Sequence, residues 1–184
     1  QASPMETPQE LTSDQRSKKP LREYRFLPAP FFTPETSLGV AVITAFYFKF
    51  QDHPEARTSS TTAALGATFN RQFSFTNQGN INLGNNDWVI HYFAQGRLWP
   101  NAYFGIGSAV GTEAESFEQQ AVITALRVQK KLFQNLYFGP QIGVSYFHHT
   151  GFQEGGMLIQ GNVPGAETHL ASHAGLGITW DNRD

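Results

Sequence analysis

Cysteine is missing from the whole 184-residue chain, so neither a disulfide scaffold nor a thiolate metal site can form, which suits an envelope location. Also missing is any uninterrupted apolar run near the ~18 residues of a spanning helix, so any membrane crossing has to be made by strands. Charge has no marked excess of either sign. The formal net charge is −2, which removes the electrostatic case for nucleic acid as a partner. A charged, greasy leader is lacking too, and Gln1-Ala2-Ser3 reads as the start of a processed, exported chain.

What is present is aromatic and strand-like. Sixteen Phe, six Tyr and three Trp accompany 17 Gly, the vocabulary of strands and turns. The clearest stretch runs from Leu38 to Phe50. Its even positions are Leu38, Val40, Val42, Thr44, Phe46, Phe48 and Phe50; its odd ones are Gly39, Ala41, Ile43, Ala45, Tyr47 and Lys49. Period two means an extended strand with one large apolar face and one mostly small face. Its length suits the ~9–11 residues with which a tilted strand crosses a bilayer.

Two regions follow from this. Residues 1–36 read as a flexible periplasmic tail or linker, and 37–184 as strands of a transmembrane β-barrel. Within the tail, Lys18-Lys19, Arg22 and Arg25 offer contacts to anionic lipid or lipopolysaccharide, although a solvated tail is the simpler reading. Pro28, Pro30 and Pro34 predict that Phe26 to Thr36 is a lead-in and not sheet interior.

The remaining strands are expected at Ser60 to Asn70, around Phe73 to Leu83, Trp88 to Trp99, Tyr103 to Val110, Gln120 to Phe133, Leu136 to Tyr146 and His169 to Asp181, about eight with the first. Pro100-Asn101 predicts a turn, and Trp88 and Trp99 are aromatics at both ends of one strand, as an interfacial girdle supplies. Gln120 to Phe133 also carries a helix-like pattern. Pro140 predicts a bulge or a missing ladder bond. Taken alternately, the connections at 51–59, 84–87, 111–117 and 150–168 are long and share one side. Those at 70–71, 100–101 and 134–135 are tight and share the other, the short-inside, long-outside arrangement of outer-membrane barrels.

Enzyme chemistry finds no foothold. His148 and His149 point to opposite faces, and His169 and His173 stand roughly 13 Å apart at strand rise, so no metal site is expected. Gly105-Ile106-Gly107 lacks the third glycine of a dinucleotide fingerprint. Ser108, Ser116 and Ser172 have no sequence-adjacent base, so no catalytic residue and no cofactor is assigned.

Phe31-Phe32-Thr33-Pro34-Glu35-Thr36, entering a Gly39-containing strand that ends in Phe46-Tyr47-Phe48, resembles the opening of the barrel domain in the BamA/TamA superfamily of outer-membrane assembly factors. Tyr103-Phe104-Gly105-Ile106-Gly107 is similar to the family's second signature. Gly175-Leu176-Gly177-Ile178-Thr179-Trp180-Asp181-Asn182-Arg183-Asp184 is similar to its third. The resemblance spans roughly Phe31 to Asp184. It implies an all-β, antiparallel transmembrane barrel in the bacterial outer membrane, of which this chain supplies the first half of sixteen strands. A closed eight-stranded barrel is the alternative. Periplasmic POTRA domains would not fit in residues 1–32, and the family's Arg-Gly-Phe lid motif is absent, so no residue is assigned from it.

The resemblance implies insertion or assembly of outer-membrane proteins or lipids, with lipid, lipopolysaccharide, client proteins or other envelope subunits as partners. A passive pore or a structural subunit is the second reading. The candidate lateral gate is the first strand, Ser37, Leu38, Gly39, Val40, Ala41, Val42 and Ile43, whose backbone would template a client strand if the barrel closes weakly there.

Overall fold

A computed structural model describes residues 22–34, 36–50, 56–105, 114–160 and 163–182. Eight strands form one antiparallel sheet in chain order: β1 (Arg22–Thr33), β2 (Ser37–Phe48), β3 (Ser59–Thr68), β4 (Phe73–Leu83), β5 (Trp88–Tyr103), β6 (Glu115–Lys131), β7 (Leu136–Thr150) and β8 (His169–Trp180). A single helical turn, α1 (Met157–Gln160), sits in the β7–β8 connection. No helix among the described residues is long and apolar enough to cross a membrane. Among the described residues β1 pairs only with β2 and β8 only with β7, so the sheet they form is open.

Alternation decides the two faces, and the register carries them across every strand. Val42 of β2 lies opposite Pro28 and Leu65; Leu65 faces Phe75, Phe75 faces Gly96, Gly96 faces Val122, Val122 faces Tyr146, and Tyr146 faces Leu170. Paired residues of an antiparallel ladder share a face, so this row and the rows beside it make one apolar surface. It stays open to the surroundings: Leu170 and Leu176 are each 69% exposed and Ile178 73%.

The other face is concave. The curl shows in the ion pair that joins Arg57, just before β3, to Asp181, just past β8, across the intervening strands. Gln129 Nε2 of β6 passes over β7 and donates to the Gly177 carbonyl of β8 at 3.0 Å, and Thr179 Oγ1 donates back to Gln129 Oε1 at 3.1 Å. Gly139 lies between them, opposite Gly177, and without a side chain leaves Gln129 its path; a Cβ there would strike the Val128 carbonyl. Most of the burial is on this side: Gln129 is 1% exposed, Ala121 and Tyr137 3% each.

Four expectations are corrected. Arg22–Thr33, read as tail and lead-in, is a strand. The Phe69 N–H donates to Leu38 C=O, which turns the even backbone groups of β2 toward β3 and the odd ones toward β1. Through the β1–β2 register, Pro28 and Pro30 therefore aim their missing donors at the open side, where no ladder bond is lost. The strand read as first is consequently second.

Pro100-Asn101 makes no turn either. β5 runs through it to Tyr103 and pairs with β6, Pro100 opposite Glu118. Backbone direction alternates along β5. Lys131 N–H donates to Asp87 C=O, so odd residues face β6 and Pro100 faces β4, whose pairing has already ended at Leu98. Of the strand expected at Tyr103 to Val110, Tyr103 is the end of β5, Phe104 and Gly105 are in no strand, and 106–110 lie outside the described residues.

With β1 added and β5 running on through Pro100, the connections sort differently. Residues 49–58, 84–87 and 132–135 share one end with the start of β1 and the end of β8; 34–36, 69–72, 104–114 and 151–168 share the other. Long and short connections occur at both ends, so the predicted separation by length does not hold. Finally, Trp99 lies opposite Gln119 on the concave side, not beside Trp88 on the apolar face, so the two do not form a girdle pair.

Pairing decides Glu115–Lys131 as strand, because its inward residues Ala121, Ile123 and Ala125 are paired with both β5 and β7. At Pro140 the β6–β7 pairs step from Arg127–Gln141 to Lys130–Phe138. Even residues of β7 face β6, as the Leu132 N–H to Leu136 C=O bond shows, so Pro140 withholds the donor due to Val128, as expected from the sequence.

Candidate functional site in the concave face and at the sheet edges

The candidate gate residues Ser37 to Ile43 occupy the first half of β2, paired with β1 on one side and, from Gly39 onward, with β3 on the other. Gly39 lets the Phe31 ring of β1 approach closely, 2.5–2.9 Å from where a Cβ would stand. The backbone open to a new strand is instead on β1 and β8. Asp181 N–H donates to Asn135 C=O, which turns odd backbone groups near the end of β8 toward β7 and the even ones, through Trp180, outward. None of the even residues Leu170, Ser172, Ala174, Leu176, Ile178 and Trp180 is proline, so the β8 edge keeps its donors. The β1 edge lacks two of its own, at Pro28 and Pro30.

At the end where β1 begins and β8 ends, an inward cluster crosses the trough. Arg57, just before β3, donates its backbone N–H to Asn86 Oδ1 at 2.8 Å and places Nη1 2.6 Å from Asp181 Oδ2, beyond β8. Tyr137 Oη donates to the Asn86 carbonyl at 3.1 Å. Asn82 N–H donates to Ser59 Oγ at 2.9 Å, and its Nδ2 donates to the Thr58 carbonyl at 3.1 Å. A cavity of about 260 Å³ opens among Arg57, Asn82, His91, Gln129, Tyr137 and Asp181. Sequence reading placed Arg57 in a loop and Asp181 at a strand end; a contact across 124 positions leaves no local trace.

Farther along the trough, neutral amides hold two arginines. Arg127 Nε donates to Gln141 Oε1 at 3.0 Å, and Arg97 Nη2 donates to Gln119 Oε1 at 2.6 Å. Gln119 Nε2 in turn meets His149 Nε2 at 2.9 Å. Arg97 Nε, His149 Nδ1 and Asn80 Oδ1 are buried without a hydrogen-bond partner. At the opposite rim both oxygens of Glu115 accept from the turn of α1, from the N–H groups of Met157 and Leu158.

The histidines fall as follows. His148 Nδ1 meets Thr168 Oγ1 at 2.6 Å, while the rings of His149 and His169 come within 5.9 Å of each other, a neighbourhood made by strand pairing and not by spacing. Among the described residues no group of three or more His, Cys, Asp or Glu is placed to hold a metal ion. Ser116 lies on β6 and Ser172 on β8, and Ser108 is outside the described residues.

These features define a class: an open, curled, all-antiparallel sheet with an apolar convex face and a hydrogen-bonded polar concave one. Comparison with protein-family models, curated proteins and solved structures finds no match.

Proposed function

We propose that this chain forms wall of an outer-membrane β-barrel, its convex face against lipid and its concave face against water. One observation carries the reading: the apolar surface continues across all eight strands without a polar interruption wide enough to solvate it, from Tyr24 and Phe46 to Leu176 and Trp180. A patch of that extent on a protein in water would be an aggregation liability; against hydrocarbon it is the required surface. Strands of 10 to 17 residues are long enough to cross the apolar core at the usual tilt. Closure would come from pairing the open edges, within the chain or as the first half of a larger barrel.

The tryptophans supply the test. Trp88 and Trp180 project from the convex face and Trp99 from the concave one. In single-tryptophan variants reconstituted into vesicles of brominated lipid, Trp88 and Trp180 fluorescence should be strongly quenched and Trp99 spared. Equal protection of all three would sink the membrane reading.

Within that reading, the BamA-like resemblance and the intact backbone edge of β8 support a role in inserting or assembling outer-membrane proteins or lipids. The hydrogen-bonded polar trough favours the second reading, a water-filled pore or structural subunit. A photo-crosslinker at Leu176, on the open edge, separates them. Capture of nascent barrel strands supports assembly, and conductance without capture supports the pore. The same probe at Val40 is the control, because β2 is already paired on both sides.

A further inference from the structure

We propose that the concave wall is an anion path, with Arg97 and Arg127 as its two successive docking points; this rests on the membrane-wall reading and deepens its pore form. Positive charge is left over on this face. Two carboxylates of the described strands lie on the concave face: Glu23 of β1, ion-paired with Arg25, and Glu115 at the rim, whose two oxygens are taken by the backbone of α1. Asp181, just past β8, is bound to Arg57.

Arg97 and Arg127 have no such partner among the described residues. Their contacts are the amide oxygens of Gln119 and Gln141, which orient a guanidinium without neutralising it. Each therefore keeps a full positive charge facing the trough. Arg97 Nε adds a buried donor without a protein hydrogen-bond partner.

Spacing turns two charges into a route. Arg127 lies opposite His91, and Arg97 stands six positions farther along β5, roughly 20 Å at strand rise. A cavity of about 380 Å³ beside Arg127 is also lined by His91, Gln141 and His173, and contains no carboxylate. Guanidinium groups lining a water-filled passage lower the barrier for small anions and raise it for cations, and binding at separated points allows release as well as entry. The ligand class is small inorganic anions, chloride and phosphate alike, held through the planar donor fork.

The test is the reversal potential of the full chain in planar bilayers under a potassium chloride gradient, with brominated-lipid quenching of Trp180 read in parallel in the full chain carrying Trp88→Phe and Trp99→Phe. The expected result is an anion-to-cation permeability ratio above unity. It should fall toward unity in Arg97→Gln with Arg127→Gln, invert in the double Glu variant, and be retained in the double Lys variant. Trp180 quenching with a conductance that is unselective or cation-selective overturns the anion path and leaves the membrane wall standing. Quenching without any conductance does the same. An unquenched Trp180 overturns both. A purely structural role for the arginines predicts that the Gln and Lys variants change the ratio equally, which also rejects the proposal.

Discussion

Single residues decide how tightly the trough is drawn. Gly139 is the sharpest case, because a methyl group there meets the Val128 carbonyl and the Gln129 backbone. Gly139→Ala should cost about 1–3 kcal/mol, the range for overpacking, read as a lowered urea midpoint of the protein folded in detergent micelles. Gly39 and Gly79 are milder, lying under the movable rings of Phe31 and Tyr92. The Arg57–Asp181 pair is half-buried at the arginine, with side-chain exposures of 30% and 10%. Removing the carboxylate in Asp181→Ala should cost about 1–2 kcal/mol after allowing for solvent screening at Arg57. A double-mutant cycle with Arg57→Ala should recover most of that as coupling energy, and additive effects would mean the contact contributes nothing. Of these residues, sequence reading singled out Pro140, next to Gly139, because a missing donor is a property of the residue itself. Gln129, Tyr137 and the ion pair were illegible, since each acquires its role from a partner on a distant strand.

Strands were legible as strands wherever alternation was clean, and least so where proline intervened. A proline is costly only if its missing N–H was due to a neighbour, and sequence alone does not say which side of a strand has one. Pro28 and Pro30 face open space, and Pro100 faces a partner strand that has already ended, so both segments pair normally on their other side. The same asymmetry protects the molecule: β1 presents a blunted edge and β8 an intact one. Pro28→Ala combined with Pro30→Ala restores two donors to the β1 edge. Sedimentation in detergent should then show more self-association than the parent chain at equal concentration. Unchanged behaviour would mean that the prolines do not guard this edge. β6 illustrates the converse case. Its local pattern admitted a helix, but two long ladders with β5 and β7 outweigh any helical preference, because the residues from Glu118 to Arg127 gain pairing on both sides.

For the molecule as a whole, the two faces should respond oppositely to charge. Leu176→Arg, on the convex face, should destabilise the folded state by about 2–4 kcal/mol if that face meets the bilayer midplane, measured by urea unfolding from lipid vesicles. Ala171→Arg, on the concave face of the same strand, should change it by no more than about 0.5 kcal/mol. Equal effects would contradict an outward apolar face. The sequence by itself determined that the protein is all-β and two-faced, because period-two alternation is written residue by residue. It also determined most of the inward and outward assignments, Trp99 being an exception that parity alone would have corrected. Only the tertiary structure decided that Arg22–Thr33 is a strand, that β2 is an interior strand, that the concave side brings Arg57 to Asp181, and that the open edges among the described residues belong to β1 and β8. Those are questions of which strand neighbours which, and pairing is a long-range choice: extended segments carry the same alternation whether they stand at an edge or between two partners.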